Sequence, residues 1–155
     1  MAQLSLTIAT TPKQTEPSTS PSSADFVGRV TDPVAIAAFR RPYFEQIAEG
    51  SSGRYLAGDI CELIISGRMQ LWCIADETAV NAVLVTEFIR WPRRLGLTIF
   101  GAVGRNPKAW LFHVKHLENF ARTNGADLLC GWMRKGYGRV TGWRETHRLY
   151  ERDLT

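Results

Sequence analysis

The sequence predicts an α/β (α+β) domain in which a mixed, mostly antiparallel sheet carries helices on both faces. Three observations predict it. Residues 70–75, 80–91 and 95–103 are rich in Val, Ile, Thr and aromatic side chains. Only the short polar breaks Asp76-Glu77-Thr78 and Pro92-Arg93-Arg94 separate them, which is the pattern of an antiparallel meander. A helix-period segment over residues 107–124 then leads to a short apolar run, residues 126–131, as in a strand–helix–strand unit. Two further helix-period segments precede the meander.

Residues 10–23 (TTPKQTEPSTSPSS) are rich in Ser, Thr and Pro and almost free of apolar side chains. Such a segment buries too little surface to offset its ordering entropy. It predicts a flexible arm over residues 1–30 ahead of a single domain over 31–155. Asp32-Pro33 is a helix start, with Asp as N-cap and Pro in the first turn. Ile36, Phe39, Tyr43 and Ile47 give that helix one apolar face, and Pro42 predicts a kink or a break in it. A second helix over residues 57–66 presents Ile60, Leu63 and Ile64 and stops at Gly67. In the helix over 107–124, Trp110, Leu111, Val114, Leu117, Phe120 and Ala121 share a face, and Asn124-Gly125 ends it. Gly136, Gly138 and Gly142 mark an irregular link, after which residues 143–154 alternate as a closing strand.

Composition narrows the function classes. At 155 residues, 45% hydrophobic and 22% charged, the chain is an ordinary globular protein with a sizeable core. No apolar run reaches the roughly 18 residues needed to span a bilayer, and the start lacks a basic n-region. The expected location is a cytoplasm, neither secreted nor membrane-bound. Cys61, Cys73 and Cys130 are isolated in sequence and read as reduced, structural thiols. His113 and His116 are three apart, with no third ligand near them, so no metal is expected. From Gly104 onward there are ten Lys/Arg against five Asp/Glu, so the basic residues concentrate in the C-terminal half. No P-loop, dinucleotide fingerprint or Ser/Cys nucleophile motif occurs.

This order of elements resembles the GCN5-related N-acetyltransferase (GNAT) fold. A closer resemblance is to acetyltransferase-like proteins that tailed bacteriophages encode near their structural genes. It is carried by Asp59-Ile60, by Gly67-Arg68-Met69-Gln70-Leu71-Trp72, by Val85-Thr86-Glu87, by Leu117-Glu118 with Phe120-Ala121-Arg122 and Gly125, and by Gly142-Trp143-Arg144-Glu145 with Tyr150-Glu151 and Leu154. It covers residues 32–154. The resemblance implies acetyl-coenzyme A (acetyl-CoA) as cofactor, its pyrophosphate held at the turn before the long helix by backbone N–H groups, where glycines allow close approach.

Here the turn and its approach read Val103, Gly104, Arg105, Asn106, Pro107, Lys108 and Ala109. A single Gly remains, and Pro107 removes one donor. Arg105 and Lys108 offer side-chain charge in its place. The turn reads as an ordinary helix start rather than a working cofactor grip. Acetyl transfer to an amine also needs a base and usually an acid. Residues 95–103 contain no carboxylate or His, so Glu87 in the preceding strand is the candidate base, although strand alternation can equally turn it to water. By position Tyr137 resembles the family's general acid, although a tyrosine in a Gly-flanked loop is commonly a packing or surface residue.

The altered turn, the polar arm and the sparse acid–base groups point first to a non-catalytic, virion-associated or assembly protein of a phage, partnered through its arm. Two alternatives stay open. One is an active acyl-CoA-dependent N-acyltransferase. The other is a nucleic-acid-binding module using Trp132, Arg134, Lys135, Tyr137, Arg139, Trp143 and Arg144, although Trp132 and Trp143 are explained more simply as core anchors.

Overall fold

The computed structural model describes residues 26–105, 111–133, 136–147 and 151–154. Five strands form one sheet in sequential order: β1 (Phe26–Val30), β2 (Met69–Ala75), β3 (Val80–Trp91), β4 (Arg94–Gly104) and β5 (Leu128–Gly131). The first three junctions are antiparallel and β4–β5 is parallel. The helices are α1 (Pro33–Ala38), α2 (Glu45–Glu49), α3 (Ala57–Ile65), α4 (Val114–Thr123) and α5 (Tyr137–Thr141).

Strand alternation divides the core into two layers. Met69, Leu71 and Cys73 of β2 and Val83 and Val85 of β3 face Ile36, Phe44, Ile47, Ile60 and Ile64 from α1, α3 and the segment between them. Trp72, Ile74, Ala82, Leu84, Leu97 and Ile99 face Val114, Leu117 and Ala121 of α4. The sheet therefore carries helices on both faces, as the sequence predicts. The α4 face also buries a polar chain. The Trp72 indole N–H donates to Thr86 Oγ1 at 2.9 Å, and Thr86 donates to Gln70 Oε1 at 3.0 Å, so these buried polar groups are partnered.

Local chemistry explains most boundaries. The Asp32 carboxylate accepts the Ala35 N–H at 2.8 Å and caps α1. Pro42 breaks the first helix into two pieces joined by a π-turn, Arg40–Phe44, in which the Phe44 N–H reaches back to the Phe39 carbonyl. The Asp59 carboxylate accepts the Leu56 N–H at 2.7 Å at the start of α3, and Gly67, at φ +79°, follows its end. The β2–β3 turn is organised by Asp76, which accepts from Thr78, Ala79 and Asn81. These bonds hold its carboxyl well below the usual carboxylate range.

Two expectations are corrected, and a third is met where it can be followed. Phe26–Val30, assigned to the arm from sequence, is an edge strand paired with β2 from Phe26↔Ala75 to Val30↔Leu71. The expected helix over residues 107–124 is observed as Val114–Thr123, with residues 106–110 outside the described set. The expected closing strand over 143–154 is not formed among the described residues, and the glycine-rich link instead contains α5, bracketed by Gly136 (φ +98°) and Gly142 (φ +71°).

Candidate active site

The sheet is not uniformly closed. Pairing of β4 with β5 runs from Gly96↔Leu128 to Ile99↔Gly131 and stops there, while β4 continues to Gly104. At the same level β4 bulges. Val85 pairs with Gly101 and Thr86 with Ile99, so Phe100 has no register partner on β3. From Phe100 onward the β5 side of β4 is a strand edge without a strand neighbour among the described residues. Ile99 faces α4, while Phe100 packs on the α1–α3 side, edge-on to Tyr55 with ring centroids 4.8 Å apart at 81°. Gly101 follows it because a Cβ there would lie 2.5 Å from Ile47 Cγ2.

Directly beneath the opening, one row of residues crosses the sheet on the α1–α3 face. Met69 pairs with Glu87, Glu87 with Thr98, and Thr98 with Cys130. Residues opposite one another on neighbouring strands have Cβ atoms about 4.5–5.5 Å apart. Thr98 Oγ1 and Cys130 Sγ are 3.1 Å apart, within hydrogen-bonding distance. Glu87 is half-buried rather than turned fully to water. Burial raises its carboxyl above the usual carboxylate range, and the nearby Arg68 charge partly opposes this. A half-buried carboxylate whose pKa is raised in this way is a candidate proton acceptor.

Tyr137 opens α5 and packs into the cluster of the opposite, α4 face, together with Met133. Met133 Cε lies 3.1 Å from where a Cβ on Gly131 would sit, and Gly131 is the last β5 residue paired with β4. Glu87 and Tyr137 are therefore on opposite faces of the sheet.

The turn after β4 is committed largely to structure. The Val103 side chain packs into the α1–α3 core opposite Val83. A Cβ on Gly104 would sit 2.8 Å from Ala82 Cβ and from the Asn81 carbonyl oxygen, so this glycine is required by close approach of β3. The Arg105 N–H donates to that same Asn81 carbonyl at 3.2 Å. Arg105 itself is exposed. The remaining turn candidates, Asn106, Lys108 and Ala109, lie outside the described residues.

The other sequence candidates are dispersed or lie outside the described residues. His113 and His116 have ring centroids 5.9 Å apart, and among the described residues no three His, Cys, Asp or Glu form a metal-binding group. Trp132 is 64% exposed and is not the core anchor its sequence context suggested, whereas Trp143 packs against the α4 cluster. Arg134 and Lys135 lie outside the described residues. Cys61 and Cys73 are buried free thiols, and burial pushes Cys73 up to about 11. No described helix is long and apolar enough to cross a membrane.

Phe100, Thr98 and Cys130 were not singled out from sequence as site residues. A bulge inserts one residue into an otherwise regular apolar strand, and nothing in the run Thr98-Ile99-Phe100-Gly101 marks which residue is extra. Thr98 and Cys130 are brought together only by the parallel β4–β5 junction, a long-range pairing.

No family model matches the sequence, and no curated sequence is significantly similar to it. Solved structures are nonetheless similar. A possible acetyltransferase from Clostridium difficile 630 superposes with a TM-score of 0.61 at 8% identity, covering 86% of this chain and 99% of its own. A predicted acetyltransferase from Clostridium acetobutylicum, solved with acetyl-CoA, gives a TM-score of 0.61 at 14% identity and covers 84% and 97%. The aminoglycoside acetyltransferase AAC(6')-Iy, in complex with a bisubstrate analogue, gives 0.65 at 9% identity and covers 86% and 99%. At these identities the likeness concerns architecture: the chain has the GNAT acetyltransferase fold, and its structural neighbours are GNAT acetyltransferases.

Proposed function

We propose that the protein is an acyl-CoA-dependent N-acyltransferase. The observation that carries this reading is the parting of β4 from β5 beyond Ile99↔Gly131, which leaves a strand edge open at the bulge, with Glu87 one row below it. An open strand edge suits an extended amide-bearing chain, because such a chain can pair with it as an added strand. The pantetheine arm of coenzyme A is such a chain. Solved proteins of the same fold hold acetyl-CoA or coenzyme A.

The coenzyme supplies an acyl thioester whose carbonyl is the electrophile. On this reading the residues of this chain divide the remaining work. The open edge from Phe100 to Gly104 binds and orients the extended arm, and its backbone N–H groups stabilise charge developing on the acyl oxygen. Glu87 takes the proton of an amine arriving from the α1–α3 face. Tyr137, on the α4 face, holds a proton at Oη for the departing thiolate. The backbone N–H of Arg105 is engaged with Asn81, so the exposed Arg105 side chain takes over part of the pyrophosphate grip, with Lys108 as its expected partner. Nothing in the fold or in the structural neighbours points to a non-catalytic assembly role, and residues 1–25, expected to carry it, lie outside the described residues.

Calorimetric titration with acetyl-CoA at low salt tests the proposal. The expected result is micromolar affinity, weakened about tenfold in Arg105→Ala, since a charge-assisted hydrogen bond is worth on the order of 1.5–3 kcal/mol. Absence of binding at millimolar acetyl-CoA would overturn it.

A further inference from the structure

We infer that Phe100, braced by Tyr55, sets the length of acyl chain the protein accepts and restricts it to short acyl groups; this rests on the acyltransferase reading above. Phe100 is the residue at which both neighbouring strands let go. It has no β3 partner because of the bulge, and β5 pairing has ended one residue earlier, at Ile99. A bulge re-aims the side chain of its extra residue. Here it turns the ring onto the α1–α3 face, beside the strand edge proposed to receive the arm.

The surroundings leave that ring little freedom. Tyr55, from the segment leading into α3, meets it edge-on at 4.8 Å, a favourable aromatic geometry. The neighbouring Gly101 presents only hydrogen because Ile47 occupies the space of a side chain there. On the other face Ile99 is 4% exposed and belongs to the α4 core. The opening is thus bounded by Phe100 and Tyr55 on one side and by closed core on the other. On this inference a two-carbon acyl group is accepted beside the aromatic pair, and a longer chain has to displace it.

The test is affinity and turnover with acetyl-, butanoyl- and octanoyl-CoA, for the unaltered protein and for Phe100→Ala, Phe100→Leu and Tyr55→Ala. Each added methylene that a pocket rejects is worth roughly 10–200-fold in discrimination. The unaltered protein is expected to prefer acetyl- over octanoyl-CoA by at least about tenfold. Phe100→Ala is expected to shift that ratio toward octanoyl-CoA by about tenfold or more. Phe100→Leu keeps most of the core volume should the alanine variant fold poorly, and Tyr55→Ala leaves the Phe100 ring in place but unbraced. Both are expected to shift the ratio in the same direction by less. A ratio unchanged in all three variants, with acetyl-CoA still bound, overturns the inference and leaves the acyltransferase reading standing. So does equal use of octanoyl- and acetyl-CoA by the unaltered protein. Failure of every variant and of the unaltered protein to bind any acyl-CoA overturns both.

Discussion

Glu87 carries opposite consequences for stability and for catalysis. Burial raises its carboxyl, with Arg68 opposing, so the neutral form is the one the fold favours. A carboxyl whose folded pKa lies above its unfolded one contributes fully below the unfolded value, near 4.3, and that contribution is lost as pH rises through the raised one. Glu87→Gln is therefore expected to melt at or above the temperature of the unaltered protein at pH 7, and to lose that margin below about pH 4. Turnover is expected to run the other way, rising with pH as Glu87 ionises and falling roughly 10²–10⁴-fold in Glu87→Gln. Thermal melts and a pH–rate profile check both; a lower melting temperature at pH 7 together with an unchanged profile would remove Glu87 from the site. The residue type and strand were legible in the sequence. Its half-burial was not, because that depends on which face of β3 meets α1–α3, a matter of long-range packing.

At the scale of elements, regular segments were legible and irregular ones were not. The meander follows from β-branched and aromatic runs interrupted by turn residues, and it is observed within a residue or so of the expected bounds. Pro42 predicted a break, and the π-turn is that break. β1 escaped notice because Phe26-Val27-Gly28-Arg29-Val30 adjoins the polar arm and is too short for its period to stand out. The alternation over 143–154 misled because half of its residues are charged and its apolar ones are few, which gives a strand little to bury. The β4 end offers a test of how tightly the opening is built. Gly104→Ala is expected to destabilise the fold by about 1–3 kcal/mol, since an added methyl meets β3 backbone and Ala82. Chemical denaturation measures this. A neutral substitution would mean that β3 and β4 can part at this end without cost.

For the whole molecule, a five-stranded sheet with core on both faces follows from the sequence by ordinary patterning, and the GNAT acetyltransferase fold follows from the order of its elements. Fold does not fix function, and the function has to be argued from the site. Much of the site was illegible for one physical reason: it is formed where a regular feature fails. The opening exists because β4 outruns β5 and carries an extra residue, and such a departure leaves almost no trace in composition or periodicity. The turn was legible, but its glycine and its Arg105 N–H are occupied by β3, which is why the proposed function places binding at the open strand edge and the Arg105 side chain.

In the proposed function, the edge of β4 beyond Ile99 receives the acyl-CoA arm. Hydrogen–deuterium exchange with and without acetyl-CoA tests it most directly, because an amide that gains a hydrogen-bond partner exchanges more slowly. Slowed exchange is expected to concentrate in residues 100–104 and at the end of β5 near Gly131, with β1 and β2 unchanged. Exchange that is unaltered there at saturating acetyl-CoA, or slowed only elsewhere, would contradict it.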